Sequence, residues 1–242
     1  MALSKIKTNS IDDSAITNAK ITNSTIDVTA KITGAVPVAN GGTALTSIGS
    51  ANQAMTVNSG ASALEFTTIK KAGKESIWVP ANAMYPNTTS GCAAHAQTEL
   101  GNGPELKTLD FDKDSDEFAQ FAVAFPKSWN EGTITFQAFF TAASTNTGDV
   151  VWTLAGTALA DNGSLNTAFG TAVATTGKAH SGTANDLDVT AESGAITIAG
   201  SPSTDEFVFF EIARDVSEDG LTADAKLLGI KLFFTTDAAT DT

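Results

Sequence analysis

The chain has 242 residues, with 27 acidic against 14 basic side chains, a formal charge of −13 and a pI near 4.4. That balance argues against nucleic acid as a partner, because binding phosphate needs clustered cations. No apolar run approaches the ~20 residues of a membrane span, the lone Cys92 leaves no internal disulfide, and the opening MALSKIKTNSIDDS lacks the apolar block of a secretory leader.

The charge is unevenly spread. Residues 1–74 carry seven Lys against four acids, a net +3, while the remainder holds seven basic and 23 acidic residues, a net −16. Of the 18 Phe, Trp and Tyr, only Phe66 precedes residue 75. A segment with one aromatic cannot build an ordinary core, whereas the rest of the chain can. The main boundary is therefore expected near residues 72–75. The chain divides into an N-terminal arm (1–36), a small β module (37–74) and a larger domain (75–242).

The arm contains a repeat. Ile6, Ile11, Ile16, Ile21 and Ile26 recur at a spacing of five, and Ile32 follows after a slip of one. Ser4, Asn9, Ser14, Ala19 and Ser24 stand two before each Ile, all small or short. A period of five fits neither helix nor strand. One inward Ile per short unit is similar to pentapeptide-repeat β-helices, which centre on Leu or Phe and use four units per coil. Stacked repeats need about three or more units to bury a core, so this arm is expected to bury its Ile row against copies of itself or a larger partner. The alternative is a disordered polar leader with chance spacing.

The next stretch, 34–69, punctuates short apolar runs (Val36–Val38, Ala54–Val57, Leu64–Phe66) with turn signals at Asn40-Gly41-Gly42, Ser47–Ser50 and Asn58-Ser59-Gly60. From Pro37 to Phe66 it resembles the "VANGGTG…TSLG…GQVLTVNSGATALEW" element of bacteriophage tail-fibre and other virion appendage proteins. Agreement is close at Gly41-Gly42-Thr43, Ala51-Asn52-Gln53 and Thr56-Val57-Asn58-Ser59-Gly60. The resemblance implies a small β module in a trimeric fibre, between a virion anchor and a distal domain. It gives Ile6, Ile11, Ile16, Ile21 and Ile26 a virion-anchoring role.

Beyond residue 75 the pattern is all-β. Strand candidates are Ser76–Val79, Phe118–Phe125, Thr133–Phe140, Val150–Leu154, Asp186–Thr190, Ala195–Ile198, Glu206–Arg214 and Lys226–Thr235, rich in Phe, Val, Ile, Thr and Trp. Residues 126–132 (PKSWNEG) read as the turn of a hairpin. In Phe207–Ile212 both parities carry apolar groups, which suits a strand buried on both sides, between a core and a neighbouring chain. Asn162–Val173 could hold a short helix. The expectation is an extended, repeat-containing arm and stalk followed by a jelly-roll-like β-sandwich. The stretches SIWVPANAMYP, FAVAFPKSWNEGTITFQAFF and FFEIARDV also resemble a phage appendage domain, which implies association with virions only.

Little chemistry is legible. His95 and His180 have no metal-type spacing, and Cys92, with two residues between it and His95 on one loop, reads as a packed thiol. No nucleophile elbow or phosphate-cradling loop exists, so no catalytic residue, cofactor or enzyme activity is expected. Asp110, Asp112, Asp114 and Asp116 in DFDKDSDE form the one candidate calcium set, since Ca²⁺ takes six to eight oxygens. An EF-hand reading fails at Ser115 and Phe121, and a solvated loop is the alternative. Trp129 and Tyr85, both in loop-like sequence, are candidates for stacking on a glycan, whereas Trp78 and Trp152 sit in strand patterns and are expected in the core.

The expected function is thus that of a phage virion protein: a trimeric fibre or spike on head or tail, held to capsid or tail proteins by its arm and contacting a host-surface glycan. A capsid decoration or cement protein without a receptor is the first alternative, and a polysaccharide depolymerase the second.

Overall fold

The computed structural model describes residues 11, 16–17, 21–22, 35–38, 42–51, 53–68 and 73–237. Two compact units result, Met1–Ile69 and Lys70–Thr242. Ile6 and Ile26 of the repeat lie outside the described residues. Ile11 and Ile16 are exposed and Ile21 is half-buried.

In the first unit, β1 (Gln53–Val57) and β2 (Leu64–Thr68) form an antiparallel hairpin that pairs Met55 with Phe66. The turn is built by Asn58. Its side-chain oxygen accepts the N–H groups of Ser62 at 2.9 Å and Ala63 at 3.2 Å, the Asx chemistry that makes Asn a turn residue. Gly49 has φ +79, and a Cβ there would meet the Phe66 ring at 2.8 Å. Glycine is therefore required both by the backbone and by the ring packed over it. Even so, Ile48 is 96% exposed, Val57 61% and Met55 50%. A lone two-stranded hairpin is at best marginally stable in water, and this one leaves Met55 and Val57 open while Leu64 and Phe66 are half-buried.

The second unit opens with β3 (Gly73–Pro80), a 3-10 turn at Ala81–Ala83, β4 (Tyr85–Pro86), β5 (Ala96–Glu99), β6 (Glu105–Phe111) and β7 (Glu117–Ala124). It continues through β8 (Thr135–Thr141), β9 (Asp149–Val150), β10 (Trp152–Leu159), β11 (Val173–Ala174), β12 (Lys178–Ala179), β13 (Asp188–Val189), β14 (Phe207–Arg214) and β15 (Ala225–Thr236). One sheet has the order β11-β10-β14-β7-β4. The other runs β13-β8-β15-β6-β5, with β3 beside the second half of β15. Every pair is antiparallel, and β9 with β12 makes a separate short ribbon.

The two sheets face each other across one core, making a β-sandwich. Alternation decides which side chains enter it. Ala119, Phe121 and Val123 of β7 and Val208, Phe210 and Ile212 of β14 point inward from one sheet; Phe136, Ala138 and Phe140 of β8 and Leu227, Ile230 and Leu232 of β15 point inward from the other. Trp152 of β10 meets Phe111 of β6 edge-on at 5.0 Å, and Phe121 stacks on Phe210 at 5.2 Å. Each fully buried Phe or Leu contributes about 1.5–3 kcal/mol.

Three sequence expectations change here. The link 126–132 is not a hairpin turn: β7 and β8 lie in different sheets, so the link crosses between layers. The second parity of β14 is a separate matter: the single chain leaves it partly open, with Phe207 43% exposed and Phe209 half-buried. Ala195–Ile198 forms no strand, only bridges such as Ile196 to Ile134. Residues 162–172 contain no helix, because Ser and Asn side chains bond the local backbone instead, as where Asn166 N–H donates to Ser164 Oγ at 3.1 Å.

At the end of β14, Arg214 is fully buried and all its donors are used. Its Nε donates to Asp219 at 2.6 Å, and its Nη groups reach Asp219 and the carbonyls of Leu221, Ala223, Asp112 and Phe111 at 2.7–3.3 Å. Residues 215–220, which read as an exposed acidic loop, are thereby anchored, with the Asp219 side chain only 3% exposed.

Candidate functional site

The strand register builds one walled depression on the outer face of the five-stranded sheet. Tyr85 of β4 lies beside Gln120 of β7, and Gln120 beside Glu211 of β14. One row along, Phe209 of β14 stands next to Thr157 of β10. These are the positions of opposite parity to the core residues, so they share the solvent-facing side. The loop after β10 supplies the far wall through Leu165, Thr167 and Phe169. The enclosed volume is about 320 Å³.

Every side chain lining this trough is uncharged. The carboxylate on the same face is that of Glu211, whose Oε2 accepts from Asn87 Nδ2 at 2.7 Å and Gln120 Nε2 at 3.0 Å. Two polar groups are unmet. Thr157 is only 3% exposed and its hydroxyl has no hydrogen-bond partner; the buried Oδ1 of Asn87 has none either. Buried polar atoms are nearly always paired; Thr157 is the one of the two that borders the trough, and its hydroxyl marks a place where a partner could bond. Tyr85 lines the same trough, open at 48% exposure.

Of the two glycan candidates, Tyr85 is in the trough and Trp129 is not. Trp129 is 1% exposed and stacks on Phe125 at 4.4 Å, because the crossing link folds it over the end of the core. It has no ring face to offer a ligand. Trp78 differs in the opposite direction: it is 49% exposed, with its ring edge-on to Phe139 at 5.0 Å, while Trp152 is fully buried. Sequence reasoning missed Phe209, Gln120, Thr157 and Phe169. The one available signal was the apolar second parity of Phe207–Ile212, which marks Phe209 as a side chain with something other than the core to meet.

The carboxylates of DFDKDSDE are not brought together. Asp110 is paired with Lys226 and accepts from Thr108 Oγ1. Asp112 folds back on its own loop, accepting from the Asp114 N–H at 2.6 Å and the Ser115 N–H at 3.1 Å, and that backbone bonding from Asp114 holds its carboxyl below the usual range. Asp114 pairs with Lys113, and Asp116 accepts from the Val216 N–H. Among the described residues, no three His, Cys, Asp or Glu side chains are grouped to hold a metal ion.

Cys92 is buried, and burial first, then the Glu117 charge, pushes its thiol up to about 12. A protonated thiol is a poor nucleophile. His95 Nε2 lies 3.0 Å from the Ala81 carbonyl. His180 spans the Asp188 carboxylate at 2.6 Å and the Ser144 carbonyl at 3.1 Å, a buried clip between loop and sheet.

No protein-family model and no curated protein matches the chain. Several solved structures are similar in outline. The C-terminal CBM6 of LamC, a laminarinase from the marine Zobellia galactanivorans, is 10% identical with a TM-score of 0.33, over 65% of this chain and 98% of that one. A CBM28, described as specific for non-crystalline cellulose, is 12% identical with a TM-score of 0.33, over 66% and 88%. The MgGH51 α-L-arabinofuranosidase is 12% identical with a TM-score of 0.39, over 63% of this chain and 23% of that one.

Proposed function

We propose that the chain is a structural protein of a bacteriophage virion, a trimeric fibre or spike that binds rather than turns over its target. Its basic N-terminal part would attach to a capsid or tail protein, and its jelly-roll-like sandwich would contact a glycan of the host surface through the Tyr85 trough. The observation that carries this reading is the hairpin of the first unit. Ile48, Met55 and Val57 stand open in a single chain, in a segment with one aromatic and the "NGGT…TVNSG" pattern. Such a segment gains stability when copies cover one another's apolar side chains. Three copies would also multiply weak surface contacts into avidity.

A capsid decoration protein without a receptor is the second reading, favoured by the net +3 of residues 1–74 against the acidic remainder. Sedimentation of the full chain, with adsorption of the labelled protein to host cells, separates the two. A trimer that adsorbs, and loses adsorption on Tyr85→Ala, is the expected result. A monomer that fails to adsorb would overturn the fibre reading. A chain that binds isolated capsids but no cells would establish the decoration role.

A further inference from the structure

We infer that the trough on the five-stranded sheet takes an uncharged saccharide and rejects acidic ones. This rests on the glycan-contact reading above and narrows it to one ligand class.

The polar groups decide the charge. Gln120 and Asn87 both spend an amide N–H on the same oxygen of Glu211. The amide oxygen of Asn87 is buried and unmet, outside the residues that line the trough. The Thr157 hydroxyl is unmet as well. The lining offers the hydroxyls of Tyr85, Thr157 and Thr167 and the amide of Gln120, groups that both donate and accept, and a ligand must do both in turn. Sugar hydroxyls do so, and a bond to Thr157 meets a group whose burial without a partner is costly.

The apolar groups decide the shape. Tyr85 and Phe209 line the trough beside those groups, Phe209 held edge-on by Phe207 at 4.8 Å. Aromatic side chains of this kind combine a large apolar face with a neighbouring polar rim, which matches a pyranose with its C–H face on one side and hydroxyls around the edge. The volume of about 320 Å³ lies at the lower end of the roughly 300–1,000 Å³ of small-molecule sites. A short saccharide segment fits that size.

Anions are disfavoured twice. No lining side chain is cationic, and Glu211 places one of the negative charges behind the −16 of residues 75–242 on this same face. A uronate, sulfate or phosphate would lose its hydration and gain no counter-charge.

The test uses the full chain in native affinity gels. Neutral gels contain dextran, galactomannan or xyloglucan; acidic gels contain alginate or polygalacturonate. Retardation is expected in at least one neutral gel and in neither acidic gel. Tyr85→Ala should weaken it about tenfold. Thr157→Val keeps the shape and removes an unpartnered hydroxyl, so it should weaken retardation several-fold while leaving Tm unchanged or higher. Retardation confined to acidic gels, retardation that both variants leave intact, or no retardation in any gel would overturn the inference. If cell adsorption nonetheless depends on Tyr85 while no neutral gel retards the chain, the glycan-contact reading survives and the neutral assignment falls.

Discussion

The two sheets turn contrasting faces to solvent. On the outer side of the six-stranded sheet the exposed aromatics are already partnered. Trp78 sits edge-on to Phe139 at 5.0 Å, and Phe233 lies under the ammonium groups of Lys74 and Lys231 at 4.8 and 5.2 Å. Lys74 in turn pairs with Glu192, which also accepts from Thr135. The five-stranded sheet has one ring pair too, Phe207 edge-on to Phe209 at 4.8 Å, but there Tyr85 lines a trough with the Thr157 hydroxyl, which has no partner. The lesson is that an exposed aromatic ring is weak evidence of a site. Open rings beside unmet polar groups are stronger evidence, because only there does a ligand complete bonds that the fold leaves open.

The largest expected effect falls where the two sheets are tied together. Arg214 ends β14 in one sheet, and its guanidinium bonds the carbonyl of Phe111 at the end of β6 in the other. Arg214→Ala leaves the Asp219 carboxylate and four carbonyls without their donor in a buried setting. Breaking a buried pair from one side costs about 3–5 kcal/mol. Chemical denaturation should show that loss, with both faces affected together. A loss under about 1 kcal/mol would mean that water replaces the guanidinium and that the sheets are joined by the aromatic core alone.

Next in size is a pair of substitutions that should dissociate the faces. Trp78→Ala removes a half-exposed ring and its contact with Phe139, a cost of about 1–2 kcal/mol, with no change in polysaccharide retardation. Tyr85→Ala should do the reverse, costing little in Tm and much in binding. If Trp78→Ala abolished binding, the self-partnered face would be the functional one and the contrast would be inverted.

The same side chains measure what the sequence could tell. The long strands β7, β8, β10, β14 and β15 are legible because runs rich in Phe, Val, Ile and Thr, such as Phe118–Ala124 and Phe207–Ile212, bounded by turn residues, are local signals. The burial of individual tryptophans is not. Trp129 stands among Pro, Lys, Ser, Asn and Gly, and reads as loop surface, yet the link carrying it crosses between layers and drives it onto Phe125. Trp78 stands in a strand pattern and reads as core, yet its parity faces outward. Which layer closes over a residue is a long-range fact, set by pairings such as β3 with β15 that lie far apart in the chain. Tyr85 was legible as an exposed ring. Its companions Gln120, Thr157 and Phe209 come from three other strands, and no spacing rule joins them.

The smallest expected effect tests how self-contained the six-stranded face is. The bond from Lys74, and secondly that from Thr135, hold the Glu192 carboxyl below its ordinary value of 4.5. A carboxylate whose folded value is depressed contributes stability above its unfolded value, and that contribution is lost as pH falls through the folded one. Thermal melts of the full chain between roughly pH 5 and pH 3 should therefore fall less steeply for Glu192→Gln than for the unsubstituted chain. The side chain is one-third exposed, so solvent and salt screen the interaction, and the difference should shrink in high salt. Polysaccharide retardation at neutral pH should not change, because Glu192 bonds β3 and β8 and lines no part of the trough. Parallel melting curves for the two proteins at low salt would show that Lys74 and Glu192 meet without stabilising one another, leaving Trp78 and Phe139 as the contact that closes that face.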